Sequence, residues 1–251
     1  MNQELNQKIV LCIPGVWENH QALLHALLTN ETGYIYAGSI IKSLTNEHYA
    51  EIEEYENDPN VSQIFRSLSM GRFSESELEK IDRHNMVIYV VCEGGSIELA
   101  QQALLLGQAL IKAGGLAIKV ETSGLTHIKS DWLSYSAENT LDLFKGFIPI
   151  ISDDNLLYSC GMHQFGKPDG CINLKVDQAS YILNHFLLYI LIENPELLEN
   201  QTFSADEESE ALKLSLKASS DFFDLDSLYF NPLDVWMLTT SFSWKKLFKF
   251  S

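Results

Sequence analysis

The sequence predicts an α+β fold: a mixed sheet with packed helices in the N-terminal half, ferredoxin-like in flavour, followed by a second, smaller α+β lobe. Three observations carry this expectation. Short β-branched runs alternate with helical repeats in the order β-α-β-β-α-β-α-β over the first half, a succession foreign to bundles and sandwiches. The 251 residues, 46% of them hydrophobic, can bury a core without disulfides or metals. The 13 Phe, 10 Tyr and 4 Trp carry more apolar surface than a disordered chain does, and 14 Gly with 6 Pro exclude a collagenous one.

Residues 8–13 form the first strand, stopped by Pro14-Gly15, and Trp17, Leu24, Leu27 and Leu28 then recur at helical spacing up to Gly33. Residues 34–41 and 48–56 read as adjacent strands turning at Leu44-Thr45-Asn46. Ser74-Glu75-Ser76-Glu77 fits a capping box, in which the Ser74 hydroxyl accepts from the Glu77 amide and Glu77 reaches back, starting a helix that ends near His84. Residues 86–92 make a wholly apolar strand. After Glu93-Gly94-Gly95-Ser96 a long helix carries Ala100, Ala103, Leu104, Leu106, Leu110 and Ile111. It ends at Ala113-Gly114-Gly115, where glycine takes the left-handed C-cap, and residues 116–121 form the next strand.

Farther on, the expected elements are a helix over 130–143, strands over 147–151, 156–162 and 170–174, a helix over 177–193 and a last strand over 228–238. A boundary at Lys145-Gly146 or Asp153-Asp154 separates lobes 1–145 and 146–251, which pack as one continuous unit because no Pro/Ser/Gly linker lies between them.

With 34 acidic and 17 basic residues the formal charge is -17, so the long-range field repels phosphate backbones and anionic lipid and steers toward a basic partner. Nucleic acid and membrane are therefore not expected partners. The opening MNQELNQKIVLCIPG lacks the charged and apolar regions of a secretory signal, and the apolar stretch 181–192 is far shorter than the roughly 20 residues of a membrane span. Four cysteines without framework spacing fit reduced thiols, so a cytoplasmic location is expected.

No catalytic signature stands out. The Gly94-Gly95-Ser96 turn lies between strand and helix, where amides can hold an anion, but it lacks G-x-G-x-x-G and G-K-[ST], and Glu93 has the wrong charge. Ser96 reads as an N-cap. Cys160, His163 and Cys171 fall one short of a closed zinc tetrad, and Cys12 and Cys92 sit within apolar strands as small hydrophobes. Ser123 lies four residues before His127, without a G-x-S-x-G elbow. His20 and His25 diverge on a helix. No cofactor or metal is expected.

The charge runs are clearer. Glu51, Glu53, Glu54, Glu56 and Asp58 follow one another with no Lys or Arg between them, and alternation puts Glu51 and Glu53 on one face. Tyr49 and Tyr55 beside them are the expected aromatic anchors of a docking surface. Residues 193–226, with ten acidic residues against Lys213 and Lys217 and an exposed loop at 204–210, form a competing surface.

The segment VIYVVCEGGSIELAQQALLLGQALIKAGGLAIKVETSGLTHIKSDW, with YSCGMHQFGKPD downstream, resembles the bacterial family catalogued as domain of unknown function 4261. The markers are Gly94, Gly95 and Ser96, then Gly114 and Gly115 in the run to Glu121, then Ser123, Gly124, His127 and Trp132. The sharp part covers residues 86–168. The resemblance transfers no catalytic residue; it implies a cytoplasmic bacterial protein of a kind found beside polymorphic or type VI secreted toxins. The expected function is thus immunity, a non-catalytic binding protein that covers the active site of a cognate toxin with a basic surface. The alternative is an enzyme or small-molecule binder using Gly94-Gly95-Ser96 with Glu121, Ser123 and His127.

Overall fold

A computed structural model describes residues 7–69, 71–153, 155–173 and 175–240. The stretch before Gln7, with the start of the signal-sequence argument, lies outside the described residues, as do Asp154 of the expected boundary and Leu174 of the expected strand. The chain divides into two compact units, Met1–Pro149 with Gln164–Gly166, and Ile150–His163 with Lys167–Ser251. The protein is α+β.

The first unit begins with β1 (Ile9–Gly15), α1 (His20–Thr29) and a hairpin of β2 (Tyr34–Ala37) and β3 (Ile40–Ser43). Residues 34–41 are thus two strands rather than one, because Gly38 at φ +68° turns the chain. Then follow β4 (Tyr49–Glu56), α2 (Pro59–Leu68), α3 (Glu75–Asp82), β5 (Met86–Cys92), α4 (Ile97–Lys112), β6 (Ala117–Val120) and β7 (Leu125–Ile128). The expected helix over 130–143 is α5 (Lys129–Ser134) and α6 (Thr140–Phe147), since Asn139 starts a new helix by accepting from the Leu141 amide at 2.9 Å. Lys145 and Gly146, expected at a boundary, lie inside α6.

The seven strands run in the order β2-β3-β4-β5-β1-β6-β7. Setting aside the inserted hairpin and helices, β1-α1-β4-β5-α4-β6 with sheet order β4-β5-β1-β6 is the split β-α-β arrangement of ferredoxin-like folds. This sheet is antiparallel throughout, not mixed: β5 lies between β1 and β4, and β1 between β5 and β6, so strands running the same way never become neighbours. The capping box forms as expected, with Ser74 N donating to Glu77 Oε2 at 2.8 Å. One face of the sheet is covered where Val61, Phe65, Phe73, Leu78 and Ile81 of the α2–α3 region pack against Cys12, Val87 and Ala117.

The second unit holds β8 (Ile150–Ser152), β9 (Leu156–Ser159), β10 (Asp169–Asn173), α7 (Ala179–Glu193), β11 (Thr202–Phe203), β12 (Leu212–Lys217) and β13 (Val235–Thr239). The order is β11-β12-β13-β10-β9-β8. Here the sheet is mixed: β10 and β13 are parallel, which the long connection through α7, β11 and β12 permits. Leu183 and Leu187 of α7 lie over Gly170 of β10.

Candidate functional site

Strand alternation assembles the candidate surface in the first unit. Glu51, Glu53 and Tyr55 of β4 stand opposite Val91, Tyr89 and Val87 of β5, and Tyr49 stands opposite Lys42 of β3, so all share one face of the sheet. Beyond the ground covered by α2 and α3 this face is open: Tyr49 is 54% and Tyr55 52% exposed, with Ile35 and Ile40 exposed beside them. The Tyr55 hydroxyl donates to Glu53 at 2.8 Å, and its ring meets Tyr89 edge-on at 5.5 Å. A groove of about 540 Å³ lies there, floored by Val10, Val87, Tyr89 and Val91 and edged by Glu53, Tyr55, Glu56 and Asp58. Among the described residues no Lys or Arg forms an ion pair with Glu51, Glu53 or Glu56.

Two members of the acidic run serve elsewhere. Glu54 points to the opposite face, is 24% exposed and lies 2.8 Å from His20 Nδ1, so it does not belong to the open surface. Asp58 caps α2 by accepting from the Asn60 amide at 2.9 Å. The sequence reading took this stretch as charge alone and missed α2, although Asp58-Pro59 is an N-cap followed by proline at N1.

The Gly94-Gly95-Ser96 turn is occupied by the protein's own backbone. A Cβ on Gly94 would meet the Gln7 carbonyl oxygen at 1.8 Å, Gly95 has φ +96°, and its amide donates to the Gln164 carbonyl at 2.8 Å. Ser96 caps α4, accepting from the Leu99 amide at 3.2 Å, and Glu93 is paired with Lys8. The amides an anion would need are therefore partly used, beside two carboxylates, Glu93 and Glu98. At the other end of α4, Gly114 at φ +124° and the Gly115 amide, 3.0 Å from the Leu110 carbonyl, complete a Schellman motif.

No family model, curated protein or solved structure matches this chain.

Ser123, Gly124, His127 and Trp132 occupy the β6–β7 turn, β7 and α5, with Gly124 at φ +74°. The His127 Nε2–H donates to the Gly146 carbonyl at 2.9 Å, leaving Nδ1 facing the Tyr135 hydroxyl at 3.5 Å, and the ring packs 5.2 Å from Trp132. Ser123 Oγ is buried without a hydrogen-bond partner among the described residues, and Glu121 pairs with Lys119 at 2.6 Å. The structure does not join Ser123, His127 and Glu121 into one hydrogen-bonded group, and it gives Ser123 no base.

The residues missed by sequence reasoning lie in the second unit. Asp169 is buried, accepting from Ser159 Oγ at 2.6 Å, the Met162 amide at 3.2 Å and Asn231 Nδ2 at 2.6 Å. Asn231 N donates to Ser219 Oγ at 3.0 Å, and Ser159 Oγ also accepts from the Gly170 amide at 2.9 Å. In the sequence Asp169 stands only within the segment YSCGMHQFGKPD, with no role of its own. Cys12, Cys92, Cys160 and Cys171 are free and buried. Among the described residues no group of three or more His, Cys, Asp or Glu could hold a metal. No described helix is long and apolar enough to cross a membrane.

These buried groups set different pH responses in the two units. Burial pushes His127 and His163 down to about 4, so the folded chain refuses protons that the unfolded chain accepts below about 6.5. Each histidine therefore costs about 3 kcal/mol as the pH falls from 6.5 to 4. Burial pushes Asp169 up to about 6, so the folded state binds its proton first and gains about 3 kcal/mol as pH falls through 6 toward 3.8. His163 and Asp169 offset each other in the second unit, whereas in the first His127 is joined by His48, which burial also lowers. Hydrogen exchange at about pH 7 and about pH 5 should show protection falling across β7 and α6 while β10 holds. Equal loss in both would contradict this.

Proposed function

We propose that the protein is a non-catalytic binding protein, an immunity protein that neutralises a bacterial secreted toxin by covering its active site with the open acidic face of the first unit. The carrying observation is the register that places Glu51, Glu53, Tyr49 and Tyr55 together on exposed sheet beside an aromatic groove. Carboxylates not tied up in direct ion pairs steer a basic surface inward even with Lys8 and Lys42 nearby, and rigid tyrosines provide contact area at low entropic cost. The resemblance through residues 86–168 supports the toxin as partner and the cytoplasm as location. The same charge disfavours nucleic acid.

The test is co-expression with a toxin encoded beside the gene, followed by association kinetics. Glu51→Gln with Glu53→Gln should slow association by about tenfold at low salt and flatten its salt dependence, because rim charges act mainly on the on-rate. Tyr55→Ala should speed dissociation. Neutralising Glu207 and Glu208 instead should leave both rates near wild type. Growth without rescue, or rates that respond only to Glu207 and Glu208, would reject the assignment.

A further inference from the structure

A second surface, in the second unit, stands apart from the toxin-neutralising reading. Helix α7 is uncharged up to Ile192 and mostly apolar, with Ser180, Asn184 and His185 as its polar side chains besides the tyrosines. Ile182, Leu183, Phe186, Leu187, Ile190 and Leu191 are buried, yet Tyr181, His185, Tyr189 and Ile192 form an exposed stripe on the opposite side. No Asp, Glu, Lys or Arg occurs from Ala179 to Ile192, and Ile192 is 59% exposed. Large apolar side chains contiguous on an exposed helix face mark a site of contact.

His185, Tyr189 and Ile192 of that stripe wall an open groove of about 900 Å³, lined on its other sides by Leu197, Phe203 and Leu214 and by the polar residues 200–202 and 204. The floor is prearranged: Phe203 meets Phe186 at 5.1 Å and Tyr189 at 5.7 Å. The rim is acidic. Glu193 lines it, and the loop carrying Asp206, Glu207 and Glu208 is tied beside it by the Tyr181 hydroxyl, which donates to Asp206 at 2.9 Å. The loop holds its own shape, since Asp206 also accepts from the Glu208 amide at 3.0 Å and the Ser209 amide at 2.7 Å. No Lys or Arg lines the groove.

We propose that this groove is a docking site for a basic amphipathic segment of a partner protein, its apolar side chains on Tyr189, Ile192 and Phe203 and its Lys or Arg residues against Glu193 and the 206–208 carboxylates. Charge decides the occupant. A second copy docked rim to rim would set the same carboxylates against each other, and like charges brought together oppose association; a second copy's basic stretch 242–250 carries the opposite charge, and the sedimentation arm of the test reads that case. An acidic or neutral segment would leave the rim without partners.

The test uses the full chain and a dye-labelled peptide of about twelve alternating leucines and lysines, followed by fluorescence anisotropy. Binding should weaken by about tenfold or more when serine replaces the peptide's leucines, and disappear when glutamate replaces its lysines. In the protein, Ile192→Ser should weaken it about tenfold, as should Tyr189→Ser, while Glu51→Gln with Glu53→Gln should leave it unchanged. Unchanged affinity in both serine variants would overturn the proposal. So would loss on Glu51 and Glu53 neutralisation, which would place the peptide on the first unit and leave the toxin-docking reading standing. Sedimentation showing a dimer that Ile192→Ser dissolves would also overturn it, in favour of a second copy.

Discussion

Replacing Asp169 with alanine should destabilise the second unit by about 3–5 kcal/mol, enough to unfold it ahead of the first. The carboxylate holds Ser159 at the end of β9, the Met162 amide and Asn231 ahead of β13, so three chain segments converge on one side chain. Alanine would leave those donors buried and unpaired, and each such group costs about 1–3 kcal/mol. Asp169→Asn keeps an acceptor and removes the buried charge, so it should cost less than half as much. Urea unfolding followed by circular dichroism reads both. An alanine variant as stable as wild type would show that the network contributes nothing.

Gly94→Val should cost about 3 kcal/mol or more in the first unit. Its Cβ would fall 1.8 Å from the Gln7 carbonyl oxygen, a backbone atom two residues before Ile9, which pairs with Cys92 at the end of β5. The oxygen cannot move aside without disturbing the β1–β5 register, unlike the flexible end of a side chain. Partner binding per folded molecule should be unchanged, because the turn is filled by the chain itself. A stable Gly94→Val protein that had lost binding would make the turn part of the binding surface instead.

Much of the first unit was legible in the sequence because its signals are local. The Ser74–Glu77 capping box, the apolar strand Met86–Cys92, the Ser96 cap and the glycines closing α4 each rest on residues within one turn of one another. Elements were missed where a local signal was short or masked by another. The two-residue β11 and four-residue β7 carry too little periodicity to be seen, and the acidic run concealed the Asp58-Pro59 start of α2; the alternating β12 was not expected at all, and the last strand starts at Val235 rather than at residue 228. The 130–143 helix was read as continuous because Asn139 was not recognised as a second cap.

The candidate surface divides in the same way. Alternation alone determined that Glu51 and Glu53 share a face and that Tyr49 and Tyr55 join them, since the period of a strand is two. Which face is open depended on where α2 and α3 come to rest, over Cys12, Val87 and Ala117, strands contributed by distant parts of the chain. Glu54 left the surface by the same alternation and acquired His20 from α1. Asp169 is the extreme case: the sequence pattern gives it no role, and packing made it a buried carboxylate, because Ser159 and Asn231 reach it from ten and 62 positions away. Patterning set the α+β class and the strand faces, and composition set the acidic excess; long-range packing alone decided which of those faces meets solvent and which polar groups are sealed from it.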